Sequence, residues 1–171
     1  MSLSRPSWVE IDLAAVVHNV ELTRKIVGES VKIYAVCKAD AMGCGLIPIA
    51  RTYVKCGVDA LAVSDPNDVV ILRNAGLKLP ILLFASTLPE QAAEVSLLDV
   101  VPVIHDIPSL NAFAALKKDL NIFLKIDSGM GRLGLIEQQW ETVFKKLKNT
   151  PSLKLTGLYT HMSKPEDCSV T

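Results

Sequence analysis

The sequence predicts an α/β protein of the (β/α)8 TIM-barrel type, of which the chain covers roughly the first six βα units. Three observations predict this fold. Short apolar runs alternate with helical stretches of 10–15 residues, which is typical of right-handed βαβ units and a parallel sheet. No G-x-G-x-x-G motif follows the first long strand, so the usual sign of a dinucleotide-binding sheet is missing. Polar and reactive residues stand instead at the ends of several predicted strands, as in barrel enzymes.

The first predicted elements are a short strand, a helix and a longer strand. Trp8–Ile11 is predicted as a strand, and Asp12 occupies an N-cap position before an apolar helical stripe that stops at Gly28. Val31–Ala39 is a continuous apolar run rich in valine and isoleucine, which is typical of a strand buried on both faces. A glycine-containing loop then leads into a helix over Leu46–Lys55.

The same alternation continues to the end of the sheet. The further predicted strands are Ala60–Val63, Ile81–Ala85, Val100–Ile104, Ile122–Ile126 and Leu153–Thr160. The helices between them are predicted after Asp65, after Thr87, over Ser109–Lys117 and from about Gln138 to Leu147. A complete barrel needs eight strands and about 250 residues, so 171 residues supply about three-quarters of one.

Composition excludes several classes of function. The 18 basic residues balance 18 acidic ones, which leaves no electrostatic footprint for nucleic acid or a membrane surface. The apolar runs, such as Pro80–Ala85, are too short to span a bilayer, and the first residues lack a signal-peptide pattern. We therefore expect a cytoplasmic protein. The four cysteines match no zinc spacing, so we expect free thiols and no metal; they are Cys37, Cys44, Cys56 and Cys168.

Lys38 is the first candidate site residue, because it ends an apolar strand within A-V-C-K-A-D-A-M-G-C-G. A lysine there either extends its amine into solvent or works as a nucleophile that forms a Schiff base with a carbonyl. Gly43 and Gly45 would let the backbone pass close to a ligand, or serve only to turn the chain into a helix. Taken alone, the solvent-directed lysine is the more common case.

A second motif, K-I-D-S-G-M-G-R-L-G, follows a later strand. Lys125 lies inside that strand between apolar neighbours, where an unpaired ammonium is very costly, so it must be paired, neutral or chemically altered. Pairing with Asp127, on the same strand face, is the simplest alternative. Arg132 stands among the glycines and suits a planar anion such as a carboxylate or a phenolate oxygen.

His161 follows the last predicted strand directly, within Y-T-H-M, which makes it a site candidate in a barrel. A surface histidine satisfied by its own loop is an equally good interpretation of that residue alone. His18 on a helix and His105 at a strand end are interpreted as structural.

These motifs, in this order, resemble the N-terminal barrel of alanine racemases over nearly the whole chain. The stretches that carry the resemblance are W-V-E-I-D-L with His18-Asn19, A-V-C-K-A-D-A-M-G-C-G, L-R-N-A-G before P-I-L-L, K-I-D-S-G-M-G-R-L-G and Y-T-H-M. The resemblance implies a fold-type III pyridoxal 5'-phosphate (PLP) enzyme, an isomerase built from a barrel and a β domain and working as a homodimer. It also implies that residues 1–13 carry a strand of the β domain, and that residues 14–171 form a partial PLP-binding barrel.

The same resemblance implies a role for each candidate residue. Lys38 matches the lysine that carries PLP and moves a proton on one face of the substrate carbon, with Val36 and Met42 beside the cofactor. Arg132 matches an arginine near the phenolic oxygen and the substrate carboxylate, and His161 a histidine packed near the pyridine ring. Lys125 matches a lysine that is often carbamylated, which would convert a buried cation into an anion facing Arg132.

Two positions depart from the family pattern. The family has tyrosine where Met42 stands and histidine where Cys44 stands, and a thioether cannot donate the hydrogen bond of a phenol. The family's second base, a tyrosine, and its arginine facing the pyridine nitrogen have no counterpart in this sequence. We therefore expect two-base interconversion of L- and D-amino acids, with alanine as the expected substrate, in a longer protein, and no activity from the 171-residue chain alone. The alternatives are a non-catalytic PLP-binding or regulatory protein and a lyase of D-threonine-aldolase type.

Overall fold

The computed structural model describes residues 7–85 and 87–165, and in these ranges six parallel strands form one sheet in the order β1-β2-β3-β4-β5-β6. The strands are β1 (Tyr34–Val36), β2 (Ala60–Val63), β3 (Ile81–Leu83), β4 (Val101–Ile104), β5 (Leu120–Ile126) and β6 (Leu153–Thr160). Each strand pairs with the next one along the chain, as successive right-handed βαβ units require. Of the predicted free thiols, Cys168 lies outside the described residues.

Helices connect the strands. They are α1 (Leu13–Val27), the short α2 (Lys38–Met42), α3 (Leu46–Lys55), α4 (Pro66–Asn74), α5 (Ala92–Val95), α6 (Ile107–Ala115) and α7 (Trp140–Lys148), with 3₁₀ turns at Pro89–Gln91 and Glu137–Gln139. Carboxylates start three of them: Asp12, Asp65 and Asp106 each accept a backbone N–H of the first helical turn. None of the helices among the described residues is both long and apolar enough to cross a bilayer.

The two faces of the sheet are packed differently. Alternate strand residues such as Leu61, Val63 and Leu124 point to the helices and form the main core around Phe113, which is fully buried. The other set, represented by Ala62, forms a smaller cluster on the concave face. The main core therefore lies between sheet and helices, as in a barrel wall.

Side chains that touch across the concave face demonstrate the curvature of the sheet. The rings of Tyr34 on β1 and Phe123 on β5 lie with centroids 6.0 Å apart, although three strands separate them in the sheet. Gly157 on β6 makes room for the Phe123 ring, which a Cβ at that position would overlap. The register shift between Ile122 and Phe123 lies at the same place and adds to the local bend. The sheet is thus an arc of a barrel.

Four predicted elements differ clearly from the structure. Trp8–Ile11 is irregular backbone rather than a strand, because no other strand of the described residues pairs with it, and Trp8 is 81% exposed. The strand predicted over Val31–Ala39 is only Tyr34–Val36, and its alternate side chains are exposed to the concave face rather than buried on both. The helix expected after Thr87 is a 3₁₀ turn followed by four helical residues. In addition, β3 ends at Leu83, before the predicted Ala85.

Candidate active site

One cavity of about 470 Å³ opens at the carboxyl ends of β1, β5 and β6. Its lining contains four basic side chains and no acidic one: Lys38, Lys125, Arg132 and His161. Val36 also lines it, together with the aromatic residues Tyr34, Phe84 and Tyr159. Of the site residues that the resemblance implies, Met42 alone lies outside the lining. The arrangement suits an anionic ligand that is partly planar and apolar.

A larger cavity of about 570 Å³ lies at the opposite ends of the strands, and two of its basic side chains are engaged with neighbouring groups. Arg73 donates to the carbonyl oxygens of Leu77 and Leu79 and faces Asp99 at 3.5 Å. Lys118 donates to the carbonyl of Ser96. In (β/α) barrels the loops at the carboxyl ends of the strands build the functional site, whereas those at the opposite end serve stability. We therefore take the cavity at the carboxyl ends as the candidate site.

Lys38 reaches the cavity because the sheet ladder stops just before it. The N–H of Cys37 still donates to the carbonyl of Ala62 at 2.8 Å, and the Cys37 side chain is fully buried. Lys38 is exposed, and its Nζ lies 6.0 Å from the centroid of the Phe84 ring, within range of a cation–π contact. Burial raises the pKa of the Cys37 thiol to about 11, so this cysteine stays protonated and is not a nucleophile.

The segment after Lys38 is a left-handed turn. Ala39, Asp40 and Ala41 have φ of 52–54° and Met42 has φ of 58°, all in the left-handed region that costs about 1–2 kcal/mol for a residue with a Cβ. Two hydrogen bonds to Asp40 hold this turn in place. Its Oδ1 accepts from the N–H of Leu46 at 2.7 Å, and its carbonyl oxygen accepts from the N–H of Gly45 at 2.9 Å. Strain of this kind persists at sites where it fixes a functional residue.

Met42 lies on the outside of this turn. Its side chain is 62% exposed and does not line the cavity. The contact that the resemblance implies between position 42 and a cofactor is therefore not formed by the side chain in this structure. The left-handed backbone at residues 39–42 directs the side chain outward, and sequence patterns give no sign of such a conformation in residues other than glycine.

Lys125 is a buried amine with the Arg132 guanidinium nearby. It is 4% exposed, and among the described residues it forms no ion pair. Burial lowers its pKa, the nearby Arg132 guanidinium lowers it further, and Asp127 opposes both. Its Nζ lies 5.3 Å from the centroid of the Tyr159 ring. The alternative of an ion pair between Lys125 and Asp127 is not formed among the described residues, and Oδ1 of Asp127 accepts backbone N–H groups instead.

Asp127 organises the glycine loop that carries Arg132. Its Oδ1 accepts the N–H groups of Gly129 and Gly131, each at 3.0 Å, and these bonds hold the pKa of the carboxyl below its usual value. Gly134 closes the loop against β5, where a Cβ would lie 2.6 Å from the backbone nitrogen of Asp127. The loop thus presents Arg132, which is exposed, at the mouth of the cavity.

Tyr159 is a cavity residue to which the sequence assigned no role. Its hydroxyl donates to the carbonyl of Phe84 at 2.9 Å, across the concave face from β6 to the end of β3. Burial raises the pKa of the phenol, so it is a donor at neutral pH. The alternation along Leu153–Thr160 could have indicated an inward-facing aromatic residue, but not its partner, because the partner depends on how strongly the sheet curves.

The remaining polar candidates lie elsewhere or serve the fold. His161 follows β6 directly, is exposed and lines the cavity. Asp65 is the N-cap of α4 and lies outside the cavity. His105 has a side chain only 10% exposed, with Nε2 3.2 Å from Asp106, while His18 is exposed on α1. In the part of the chain that the structure describes, no three His, Cys, Asp or Glu residues cluster as a metal site.

The fold and cavity define the chain as part of a (β/α) barrel whose site is built from the carboxyl ends of its strands. Residues 11–169 match the family described as "Alanine racemase, N-terminal domain", so the chain belongs to that family. It is 37% identical to the alanine racemase of Halothermothrix orenii, covering 96% of this chain and 45% of that protein. It is 36% identical to alanine racemase 1 of Bacillus subtilis, covering 95% and 43% respectively.

Solved structures agree with this assignment. The alanine racemase of Bacillus anthracis with bound L-Ala-P superposes with a TM-score of 0.89 at 29% identity, covering 99% of this chain and 46% of that one. A histidine racemase from Leuconostoc mesenteroides has a TM-score of 0.78 at 21% identity, which supports the fold alone. The chain thus spans somewhat less than half the length of the relatives it matches.

Proposed function

We propose that this chain is the cofactor-binding part of a PLP-dependent amino-acid racemase whose expected substrate is alanine. The observation that carries the proposal is the cavity in which Lys38, Lys125, Arg132 and His161 meet without an acidic side chain. Membership of the alanine racemase N-terminal domain family supports the choice of reaction. The whole enzyme's activity, its homodimeric state and its cytoplasmic location remain part of this proposal.

The cavity fits PLP in charge and shape. PLP combines a planar ring, a phenolic oxygen and a phosphate, and the basic and aromatic side chains that line the cavity would suit all three. When bound, PLP supplies an electron sink that stabilises negative charge at the substrate α-carbon. Val36 and Met42 are the further contacts that we propose, although Met42 must turn inward or contribute through its backbone, since its side chain is exposed.

Each basic residue has a proposed task. Lys38 holds the cofactor through its Nζ and afterwards takes or returns the α-proton on one face of the substrate. Arg132 binds an oxygen anion, either the substrate carboxylate or the phenolic oxygen, through its planar guanidinium. His161 packs beside the pyridine ring. Lys38 and His161 follow the ends of β1 and β6, and Arg132 lies on the loop that Asp127 fixes. The sheet therefore sets the positions of all three residues.

For Lys125 we propose carbamylation. Its lowered pKa increases the neutral fraction of the amine, which is the form that attacks CO₂. A bond forms between Nζ and the carbon of CO₂, one proton leaves the nitrogen, and the product carries one negative charge. That charge would face Arg132, whose like charge now lowers the Lys125 pKa, and would convert a repulsive neighbour into an ion pair.

The test is covalent trapping of PLP. We expect PLP added to the protein to give an absorbance band of a lysine-bound form, and borohydride reduction followed by peptide mass spectrometry to place the adduct on Lys38. Lys38→Ala should abolish the band, whereas Lys154→Ala, an exposed lysine near the start of β6, should leave it unchanged. An unchanged band in Lys38→Ala would rule out this assignment.

One alternative has an observation in its favour. The exposed position of Met42, where the family has a tyrosine, favours a protein that binds PLP without turning over a substrate. Exchange of the α-proton of alanine in deuterated solvent, measured on the longest available form of the protein, separates the two. Exchange supports the racemase, whereas PLP binding without exchange supports the non-catalytic alternative. Cleavage of a β-hydroxy amino acid to glycine would instead support a lyase.

A further inference from the structure

Tyr159 links two strands that are not neighbours in the sheet. Its hydroxyl donates to the backbone carbonyl of Phe84, 75 positions earlier in the chain, at 2.9 Å. Since β3 and β6 are separated by β4 and β5, this bond crosses the concave face instead of following the sheet ladder. A hydrogen bond at the far end of a phenol restrains the direction in which the side chain extends.

Both aromatic rings at the ends of this link lie beneath a lysine. The Nζ of Lys125 is 5.3 Å from the centroid of the Tyr159 ring, and the Nζ of Lys38 is 6.0 Å from that of the Phe84 ring. The face of an aromatic ring carries negative charge density and attracts an ammonium, more strongly where water is excluded. Lys125, which is 4% exposed, is the better shielded of the two amines.

Lys125 has no better partner among the described residues. Arg132 repels it, and the Oδ1 of Asp127 accepts the N–H groups of Gly129 and Gly131. His105, at the end of the adjacent β4, is held close to Asp106. The ring of Tyr159 is therefore the favourable contact through which the fold stabilises a buried amine that the Arg132 guanidinium repels.

We propose that Tyr159 is a positioning residue for Lys125 in its unmodified form: the hydrogen bond to Phe84 anchors the end of the phenol, and the ring face holds the ammonium at the cavity wall beside Arg132 before any carbamylation. The consequence for catalysis rests on the proposed function, since it matters there only if Lys125 acts in the site. The placement of the amine by the ring does not depend on PLP.

The experiment titrates Lys125 directly. The chain is prepared with ¹³C- and ¹⁵N-labelled lysine in CO₂-free buffer without PLP, and the Cε signal that disappears in Lys125→Met is followed against pH by NMR. We expect Tyr159→Leu, which removes the ring, to lower the midpoint by about one pH unit, since the ring favours the charged amine. Tyr159→Phe keeps the ring but frees it, so we expect a decrease of about half a pH unit.

Tyr53→Phe is the matched control, because Tyr53 lies on α3 outside the cavity and should leave the Lys125 midpoint unchanged. A folded Tyr159→Leu protein with the wild-type midpoint would overturn the proposal. If that variant does not fold, Tyr159→Phe decides, since a wild-type midpoint there removes the role of the hydroxyl. Failure of PLP to attach at Lys38 would contradict the proposed function while leaving this titration intact.

Discussion

Gly134 shows at the scale of one residue how the loop with Arg132 depends on the absence of a side chain. Its φ is +135°, and a Cβ would lie 2.6 Å from the nitrogen of Asp127 and 2.9 Å from the carbonyl carbon of Ile126. Gly131, in the same loop, has φ of +67° but no atom within 4 Å of the position of a Cβ. A side chain at Gly134 would therefore overlap backbone atoms, whereas at Gly131 it would only strain the backbone.

We expect Gly134→Ala to destabilise the protein by about 3 kcal/mol, since the methyl group must displace backbone atoms of β5. Gly131→Ala should cost only about 1 kcal/mol, the strain of a left-handed residue with a Cβ. Urea unfolding followed by circular dichroism measures both values. Equal costs would contradict the close packing of the loop against β5.

The buried His105 makes the stability of the fold depend on pH. Burial lowers its pKa, with Asp106 opposing that effect, so the unfolded chain binds a proton more readily than the folded protein. The stability that the neutral imidazole provides is therefore complete above the unfolded pKa of about 6.5 and is lost as the pH falls below it.

We expect the melting temperature of the wild type to fall on going from pH 7.5 to pH 5.5 by more than that of His105→Gln. Differential scanning calorimetry at both pH values measures the difference, and the other titrating groups cancel between the two proteins. A His105→Gln variant with the same pH slope as the wild type would show that the buried imidazole does not contribute.

The chain leaves helix α6 through a residue with a left-handed backbone conformation. Lys117 follows the end of α6 with φ of 52°, a position that usually holds glycine. We expect Lys117→Gly to stabilise the protein by about 1 kcal/mol, because glycine adopts this conformation without a Cβ clash. Lys145→Gly, at an exposed position inside α7, should destabilise by about 1 kcal/mol. Thermal melts that moved in the same direction for both variants would contradict this.

The order and type of the elements follow from sequence periodicity with good accuracy. Ala60–Val63 and Leu153–Thr160 are strands over the predicted bounds, because apolar runs between clear turn signals leave little freedom. The left-handed turn at Ala39–Met42 has no such signal, since none of its residues is glycine. Trp8–Ile11 has strand composition, but a strand also needs a neighbour to pair with.

The site was predictable in part for the same reason. Lys38, Arg132 and His161 meet because the carboxyl ends of parallel strands share one edge, which the alternation already implies. The bond between Tyr159 and Phe84 was not predictable, because it depends on the curvature of the sheet. The sequence left open whether Lys125 pairs with Asp127, because it does not show that Asp127 accepts hydrogen bonds from the glycine loop.

At the scale of the whole molecule, the sheet among the described residues is an arc with β1 and β6 as its edges. The cavity is lined from both edge strands, by Tyr34 and Val36 of β1 and by Tyr159 and Thr160 of β6. Acid–base chemistry at an α-carbon depends on excluding water and on a proton donor on each face of the substrate.

We therefore expect the 171-residue chain alone, supplied with PLP, to form D-alanine from L-alanine no faster than free PLP does. A chiral amino-acid assay with free PLP as the reference measures this. A rate clearly above the reference would contradict the expectation, and would show that the residues of this chain suffice for both proton transfers.

The left-handed turn also limits how the sequence can vary in length. Its ends are fixed, because Cys37 is buried in the core and the N–H of Leu46 is bound to Asp40. An inserted or deleted residue between them would break the turn, shift α3 or move Lys38 away from the cavity. We expect an insertion–deletion scan to find this stretch intolerant of length changes, although it accepts many single substitutions.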